Sequence, residues 1–131
     1  MAISKYATGL AHIGIPTNDM AATEEFYTSL GFTVALETEN PDTGVKIKFF
    51  QVGDLLLEFY ENHMATGTYG AINHIAVNVT DASAALEEMK AAGCYTLINT
   101  ELQFRPYWDN GCQFFNVEGP NKEILEFNQL L

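Results

Sequence analysis

Basic side chains are what this chain has least of. Six Lys and Arg, with Arg105 the only arginine, stand against 17 Asp and Glu, for a net charge of −11. Nucleic-acid binding draws most of its affinity from cationic side chains meeting phosphates, and an anionic membrane surface makes the same demand. The composition argues against both partners. Cysteine is almost missing too. Cys94 and Cys112 form no CxxC pair and no ladder of spacings. Neither a zinc knuckle nor a disulfide framework is indicated, and both thiols are expected reduced and packed. No apolar run approaches the ~18 residues that a membrane-spanning helix needs. Met1 to Gly9 carries no charged-then-apolar leader pattern, so a cytoplasmic protein is expected, with those nine residues a short extra strand or a loose end.

What is present is enough to build a core. Hydrophobic residues make up 47% of 131 and aromatics 12%. That suits one domain over residues 1–131, made of two half-domains. Either half alone would be too small for comfortable stability, so the halves should pack on each other or on a second chain.

The halves are visible as a repeat. Ala11-His12-Ile13-Gly14-Ile15 returns as Asn73-His74-Ile75-Ala76-Val77, and Leu56-Leu57-Glu58-Phe59 returns as Ile124-Leu125-Glu126-Phe127. Asp19 and Gly31 return as Asp81 and Gly93. Chance hydrophobic resemblance explains aliphatics, but it does not place a His and a Glu in register.

Pattern and punctuation predict the elements. Leu10 to Pro16 alternates as a strand, with Leu10, His12 and Gly14 on one face. Asp19 is the expected N-cap of a helix over Met20 to Leu30, stopped at Gly31. Strands follow over Phe32 to Glu37, Val45 to Val52 and Leu55 to Tyr60, with a tight turn at Gly53-Asp54. After a linker from Asn62 to Gly70 the order restarts. Ile72 to Val79 is a strand, Asp81 caps a helix ending at Ala92, and Tyr95 to Asn99 is a strand. Glu101 to Gly111 is a polar and aromatic loop, followed by strands over Cys112 to Val117 and Glu123 to Asn128. The fold class is therefore α+β: two tandem β-α-β-β-β modules, about 10–61 and 72–128, in a cupped mixed sheet. The His spacing is 62 residues and the Glu spacing 68, and the Arg105–Asn110 loop is the expected host of the six extra residues.

Each repeated His and Glu has a plain reading when taken alone. A His in an apolar strand is commonly a packed, hydrogen-bonded residue. Glu58 and Glu126 could face solvent from a half-exposed sheet, since Leu56, Glu58 and Tyr60 share the face opposite Leu55, Leu57 and Phe59. Together they say more. A carboxylate inside an apolar run must be paired, protonated or metal-bound, and basic partners are scarce here. His12, Glu58, His74 and Glu126 supply two nitrogen and two oxygen donors. That set suits one divalent Ni, Co, Fe, Mn or Zn ion with positions left for substrate.

These features resemble the vicinal oxygen chelate superfamily, which includes glyoxalase I, methylmalonyl-CoA epimerase, extradiol dioxygenases and the fosfomycin- and bleomycin-resistance proteins. His12-x-Gly14-Ile15, Phe26-Tyr27 with Leu30-Gly31-Phe32, and His74-Ile75-Ala76 carry the resemblance, which spans Leu10 to Asn128. The His-Glu-His-Glu set resembles that of bacterial glyoxalase I (lactoylglutathione lyase). The resemblance implies metal-assisted isomerisation of a hemithioacetal, or of another small molecule with vicinal oxygens, through an enediolate. It implies Glu126 as general base, with Glu58 as ligand or second base, Asn62 as a substrate-binding residue, and a homodimer with the site at or near its interface. Arg105 is a candidate carboxylate anchor in the long loop. Tyr60, Phe104, Tyr107 and Trp108 could line the site. Pro16 stands where glyoxalase I often has arginine, and Glu118-Gly119-Pro120-Asn121 replaces its usual Asp-Pro-Asp-Gly turn. An epimerase or isomerase of another substrate is thus the alternative, beside a non-catalytic drug-binding protein. An Fe²⁺ dioxygenase is disfavoured by the fourth ligand.

Overall fold

The computed structural model describes residues 3–68, 70 and 72–131. The first two residues of the leader lie outside it, and Ile3–Lys5 form a single 3-10 turn rather than a strand. Two compact units divide the chain, Met1–Ala65 and Thr66–Leu131. In the first, β1 (Ile13–Pro16), α1 (Met20–Ser29), β2 (Thr33–Glu39), β3 (Lys46–Val52) and β4 (Leu55–Tyr60) make a sheet in the order β1-β4-β3-β2. The second holds β5 (Ile75–Asn78), α2 (Ala82–Ala92), β6 (Thr96–Leu97), β7 (Gln103–Arg105), β8 (Cys112–Glu118) and β9 (Ile124–Leu130). Its order is β5-β9-β8-β6, with β7 also paired to β8. Both sheets are mixed: β1 on β4 and β5 on β9 are parallel, and the remaining pairs antiparallel. The fold is thus α+β, a β-α-β-β-β unit followed by one that repeats it with an additional strand, β7. Among the described residues no helix is long and apolar enough to cross a membrane.

One face of each sheet is sealed by its helix. In the first unit Met20, Thr23 and Tyr27 of α1 are buried with Phe50, Leu57 and Phe59. Tyr27 meets the rings of Phe32, Phe50 and Phe59 at centroid distances of 5.2, 5.9 and 4.9 Å. In the second unit Ala82 and Leu86 are buried with Phe115, Val117, Leu125 and Phe127. The helix starts repeat closely. Asp19 accepts from the Ala22 amide and Asp81 from the Ala84 amide, both at 2.9 Å. A second cap comes from beyond each last Glu. Glu61 Oε2 accepts from the Met20 amide at 2.6 Å, and Gln129 Oε1 from the Ala82 amide at 2.9 Å. Each satisfies a first-turn N–H that has no partner within the helix.

Four expectations are corrected. His12 and His74 lie just ahead of β1 and β5 rather than inside them. The parallel ladders begin at Ile13 against Leu57 and at Ile75 against Leu125, one residue after each His, close to where β4 and β9 themselves start. The loop after Glu101 contains a real strand, β7, because Gln103 to Arg105 find the free edge of β8. The six extra residues are not gathered in one loop. Thr33 faces Gln51 as Thr96 faces Glu118, Thr38 faces Ile47 as Gln103 faces Phe114, and Val52-Leu55 closes by a shorter turn than Glu118-Ile124. The additions are therefore spread from the end of α2 to the last hairpin. Both cysteines are free, but only Cys112 is buried; Cys94 is exposed beside the helix cap Gly93.

Candidate metal centre

Strand register decides which way the repeated residues face. Gly14 pairs with Glu58 across the parallel β1–β4 ladder, and Ala76 pairs with Glu126 across β5–β9. Each His precedes that paired residue by two positions. Side chains two apart in an extended segment share a face, so His and Glu come out on the same side. That side is opposite the buried Leu57 and Leu125, hence away from the helix. The carboxylates are neither core residues nor freely solvated.

Each unit therefore holds one imidazole against one carboxylate. His12 Nε2 is 2.9 Å from Glu58 Oε2, and His74 Nε2 is 3.6 Å from Glu126 Oε2. Both imidazoles are about half exposed, at 40% and 44%, while the carboxylates are more covered, at 22% and 17%. Two ligands on one ion, with metal–N and metal–O bonds of about 2.0–2.2 Å, lie about 2.9 Å apart at a right angle and about 3.4 Å apart at a tetrahedral one. The spacing within each pair fits a shared divalent ion.

The two imidazoles are held differently. His74 Nδ1 is 3.0 Å from Asn73 Oδ1. An amide oxygen can only accept, so Nδ1 carries the proton and donates it. In the neutral ring Nε2 is then a bare lone pair facing the lone pairs of Glu126. Two acceptors aimed at each other across 3.6 Å are reconciled by a cation or a proton between them. A partner on the outer ring nitrogen is also what orients a metal-binding His. His12 has Ala11 in place of Asn73 and is steadied by Phe49, edge to face, with centroids 5.5 Å apart.

Among the described residues no group of three or more His, Cys, Asp and Glu is gathered; each unit presents a pair. Of the other candidates, Asn62 spends its Oδ1 on the Met64 amide at 3.0 Å, within a turn where His63 takes φ 58°. Arg105 places its guanidinium 5.6 Å from the centre of the Phe114 ring. It makes no ion pair among the described residues. Tyr60 shares the Glu58 face, two residues along β4. Phe104, Tyr107 and Trp108 are exposed at 52%, 58% and 78%.

Sequence reasoning missed the residues directly across from the carboxylates. Phe49 stands opposite Glu58, and Asn116 opposite Glu126. Phe49 was within reach, because a two-residue turn at Gly53-Asp54 pairs Val52 with Leu55 and hence Phe49 with Glu58. Asn116 was not, because the longer turn between β8 and β9 leaves the register open.

Comparison with known proteins agrees with this architecture. A family model described as Glyoxalase/Bleomycin resistance protein/Dioxygenase superfamily matches residues 9–127. No curated protein sequence matches the chain. Among solved structures, a glyoxalase family protein from Enterococcus faecalis superposes with a TM-score of 0.75 at 19% identity, covering 94% of this chain and 98% of that one. The fosfomycin resistance protein FosX from Listeria monocytogenes, in complex with Mn(II) and sulfate, gives 0.68 at 18% identity, covering 95% and 94%. A bleomycin resistance determinant encoded on the transposon Tn5 gives 0.70 at 19% identity, covering 93% and 98%.

Proposed function

Because the chain belongs to the Glyoxalase/Bleomycin resistance protein/Dioxygenase superfamily and each of its units sets an imidazole against a carboxylate, we propose that it is a metal-dependent lyase or isomerase of the glyoxalase I type. Its substrate is a hemithioacetal or another small molecule with oxygens on adjacent carbons. His12, Glu58, His74 and Glu126 are the ligands of one divalent ion: Ni, Co, Zn, Mn or Fe. The repeated His–Glu pair carries this reading. The ion, when bound, supplies Lewis acidity to the two substrate oxygens.

The chain's own part is proton transfer. Glu126 takes a proton from substrate carbon onto a carboxylate oxygen. The electron pair left behind spreads onto the adjacent oxygens, and the proton returns to the neighbouring carbon. Glu58 serves as ligand or as the base on the other side. Asn62 and Arg105 hold the remainder of the substrate, the first through its amide nitrogen. A homodimer in the cytoplasm is part of the same proposal.

The test is metal analysis of purified protein, then proton exchange on 2-hydroxycarbonyl compounds and a methylglyoxal-plus-thiol assay with the best metal. One ion per His-Glu-His-Glu set and solvent exchange lost in Glu126→Gln are expected. Protein that takes up no divalent ion, with His74→Ala and His12→Ala indistinguishable from the parent, overturns the reading. It would leave a small-molecule binder without turnover. That second reading is favoured by one observation: each carboxylate already has its imidazole partner without a third ligand beside it.

A further inference from the structure

The side of the second sheet that carries Glu126 can be mapped residue by residue from its register. Asn116 lies directly across from Glu126 on β8, and Asn128 follows Glu126 by two positions on β9. Phe114 pairs with Asn128, and on the next strand Gln103 pairs with Phe114 and Arg105 with Cys112. All of these side chains therefore share the Glu126 face. Three features of this face stand out. Asn116 Oδ1 and Asn128 Oδ1 are buried with no hydrogen-bond partner among the described residues. Arg105, the chain's only arginine, leans over Phe114 and donates to the Phe104 carbonyl at 2.8 Å, yet its charge pairs with none of the acidic residues among those described.

A buried carbonyl oxygen without a donor is a standing penalty, and folded proteins leave very few. Two of them beside one carboxylate are acceptors in want of O–H or N–H groups. A cation left unpaired in so acidic a chain wants an anion from outside, and the Phe114 ring holds its flat guanidinium in place. Successive rows of this face are about 7 Å apart. Leaning from the Cys112 row over the Phe114 row, the guanidinium comes within about one to two rows of Glu126, the span of a chain of roughly five or six atoms.

From this arrangement we infer that the second unit recognises a small hydroxylated anion. Hydroxyl groups donate to Asn116 Oδ1 and Asn128 Oδ1, and the anionic end pairs with Arg105. The inference rests on the reading above, in which Glu126 is at the reacting carbon, and it narrows the substrate to hydroxy-acid-like compounds.

The experiment pairs each hydroxylated anion with its plain counterpart: tartrate with succinate, and gluconate with hexanoate. Calorimetric titration into the whole, metal-supplemented protein is run beside Asn116→Leu, Asn128→Leu and Arg105→Gln. At least one hydroxylated member should bind about tenfold more tightly than its counterpart, and each asparagine variant should lose about that factor. Arg105→Gln should lower affinity for every anion, hydroxylated or not; as a change on an exposed strand end it leaves folding aside. Apolar replacement removes a buried unpaired oxygen, so Asn116→Leu and Asn128→Leu should also melt higher. A purely structural asparagine would do the reverse. No preference for the hydroxylated members, or lower melting with unchanged binding, overturns the inference. Mn(II) uptake is measured in parallel on each protein. If the parent takes up no metal but keeps its preference for hydroxylated anions, the metal reading fails and this one stands.

Discussion

The surroundings of Glu58 and Glu126 differ although the backbone under them is the same. Phe49, Tyr60, Gly14 and Pro16 flank Glu58; Asn116, Asn128, Ala76 and Asn78 occupy the matching places around Glu126. His12 leans on a phenyl ring, and His74 on an amide. A duplicated frame thus fixes where imidazole and carboxylate stand, and the substitutions around them set what each can do. Phe49 offers no hydrogen bond and Tyr60 only its hydroxyl, so the Glu58 side is suited to holding. Amide neighbours, which donate and accept hydrogen bonds, make the Glu126 side the place to bind and move protons.

The sharpest way to break that contrast is to remove each carboxylate in turn. Glu126→Gln should lower proton exchange by on the order of 10²–10⁴-fold at saturating metal, the usual worth of a general base. Glu58→Gln should act through metal affinity and recover much of its activity as metal is raised. Exchange kinetics against metal concentration check both. Equal losses, neither rescued, would make the two carboxylates equivalent and the contrast empty.

The cores allow a second comparison. Leu57 and Leu125 are fully buried at matching positions. Leu57 faces Phe50 across the sheet and is followed by Phe59, within the ring cluster of Tyr27; Leu125 faces Val117. Rings held on several sides close poorly around a void. Leu57→Ala should thus fall at the upper end, and Leu125→Ala at the lower end, of the ~2–5 kcal/mol range for such truncations. Urea unfolding of the two variants measures the difference.

Much of this was readable before any coordinates. The Asp caps, the glycine stops and alternation in β3 and β4 placed the helices and most strands, because each of those signals acts locally. The His and Glu positions were readable because duplication marked them. Their facing was not, since parity alone left Glu58 on either a wet or a covered side until the parallel ladder paired it with Gly14. Split strands were hidden for another reason. Gln103 to Arg105 have no strand pattern of their own and are extended because β8 offers an edge. Gly111 is part of the same loop closure. It takes φ 87°, and a Cβ there would come within 2.6 Å of the Phe104 ring, so only glycine lets the chain return to β8.

A third contrast concerns the residues behind the imidazoles. Asn73→Ala removes the acceptor from His74 Nδ1 and should weaken metal binding by about 10–100-fold, the range for partners that orient a ligand. Ala11→Asn writes the same partner into the first unit and should tighten binding if His12 turns to use it. Competition with a chelating dye reads both. An unchanged affinity in Asn73→Ala would mean that the hydrogen bond serves only the unliganded ring.

The smallest expected effect lies on the helix-facing sides. Phe115 is fully buried and stacks on Phe127 at 5.2 Å, while the matching residue of β3 is Lys48. Lys48 donates to the Glu24 carboxylate of α1 and lies 3.4 Å from Glu37 Oε1, its side chain only 15% exposed. The bond to Glu24 is the main cause that raises the lysine above its ordinary range, with burial working against it and Glu37 adding to it. A raised lysine binds its proton more tightly folded than unfolded. Its contribution is therefore complete at neutral pH and is lost as pH climbs past the ordinary lysine value and through the raised one. Glu24 is partly exposed and the pair is screened, so the contribution is about 1 kcal/mol or less. Lys48→Met should shift the neutral-pH denaturation midpoint little in either direction, because an apolar side chain can replace a covered ion pair at similar stability. It should also flatten the fall in stability at alkaline pH. A loss of several kcal/mol at neutral pH would show instead that the first unit depends on this pair as the second depends on Phe115.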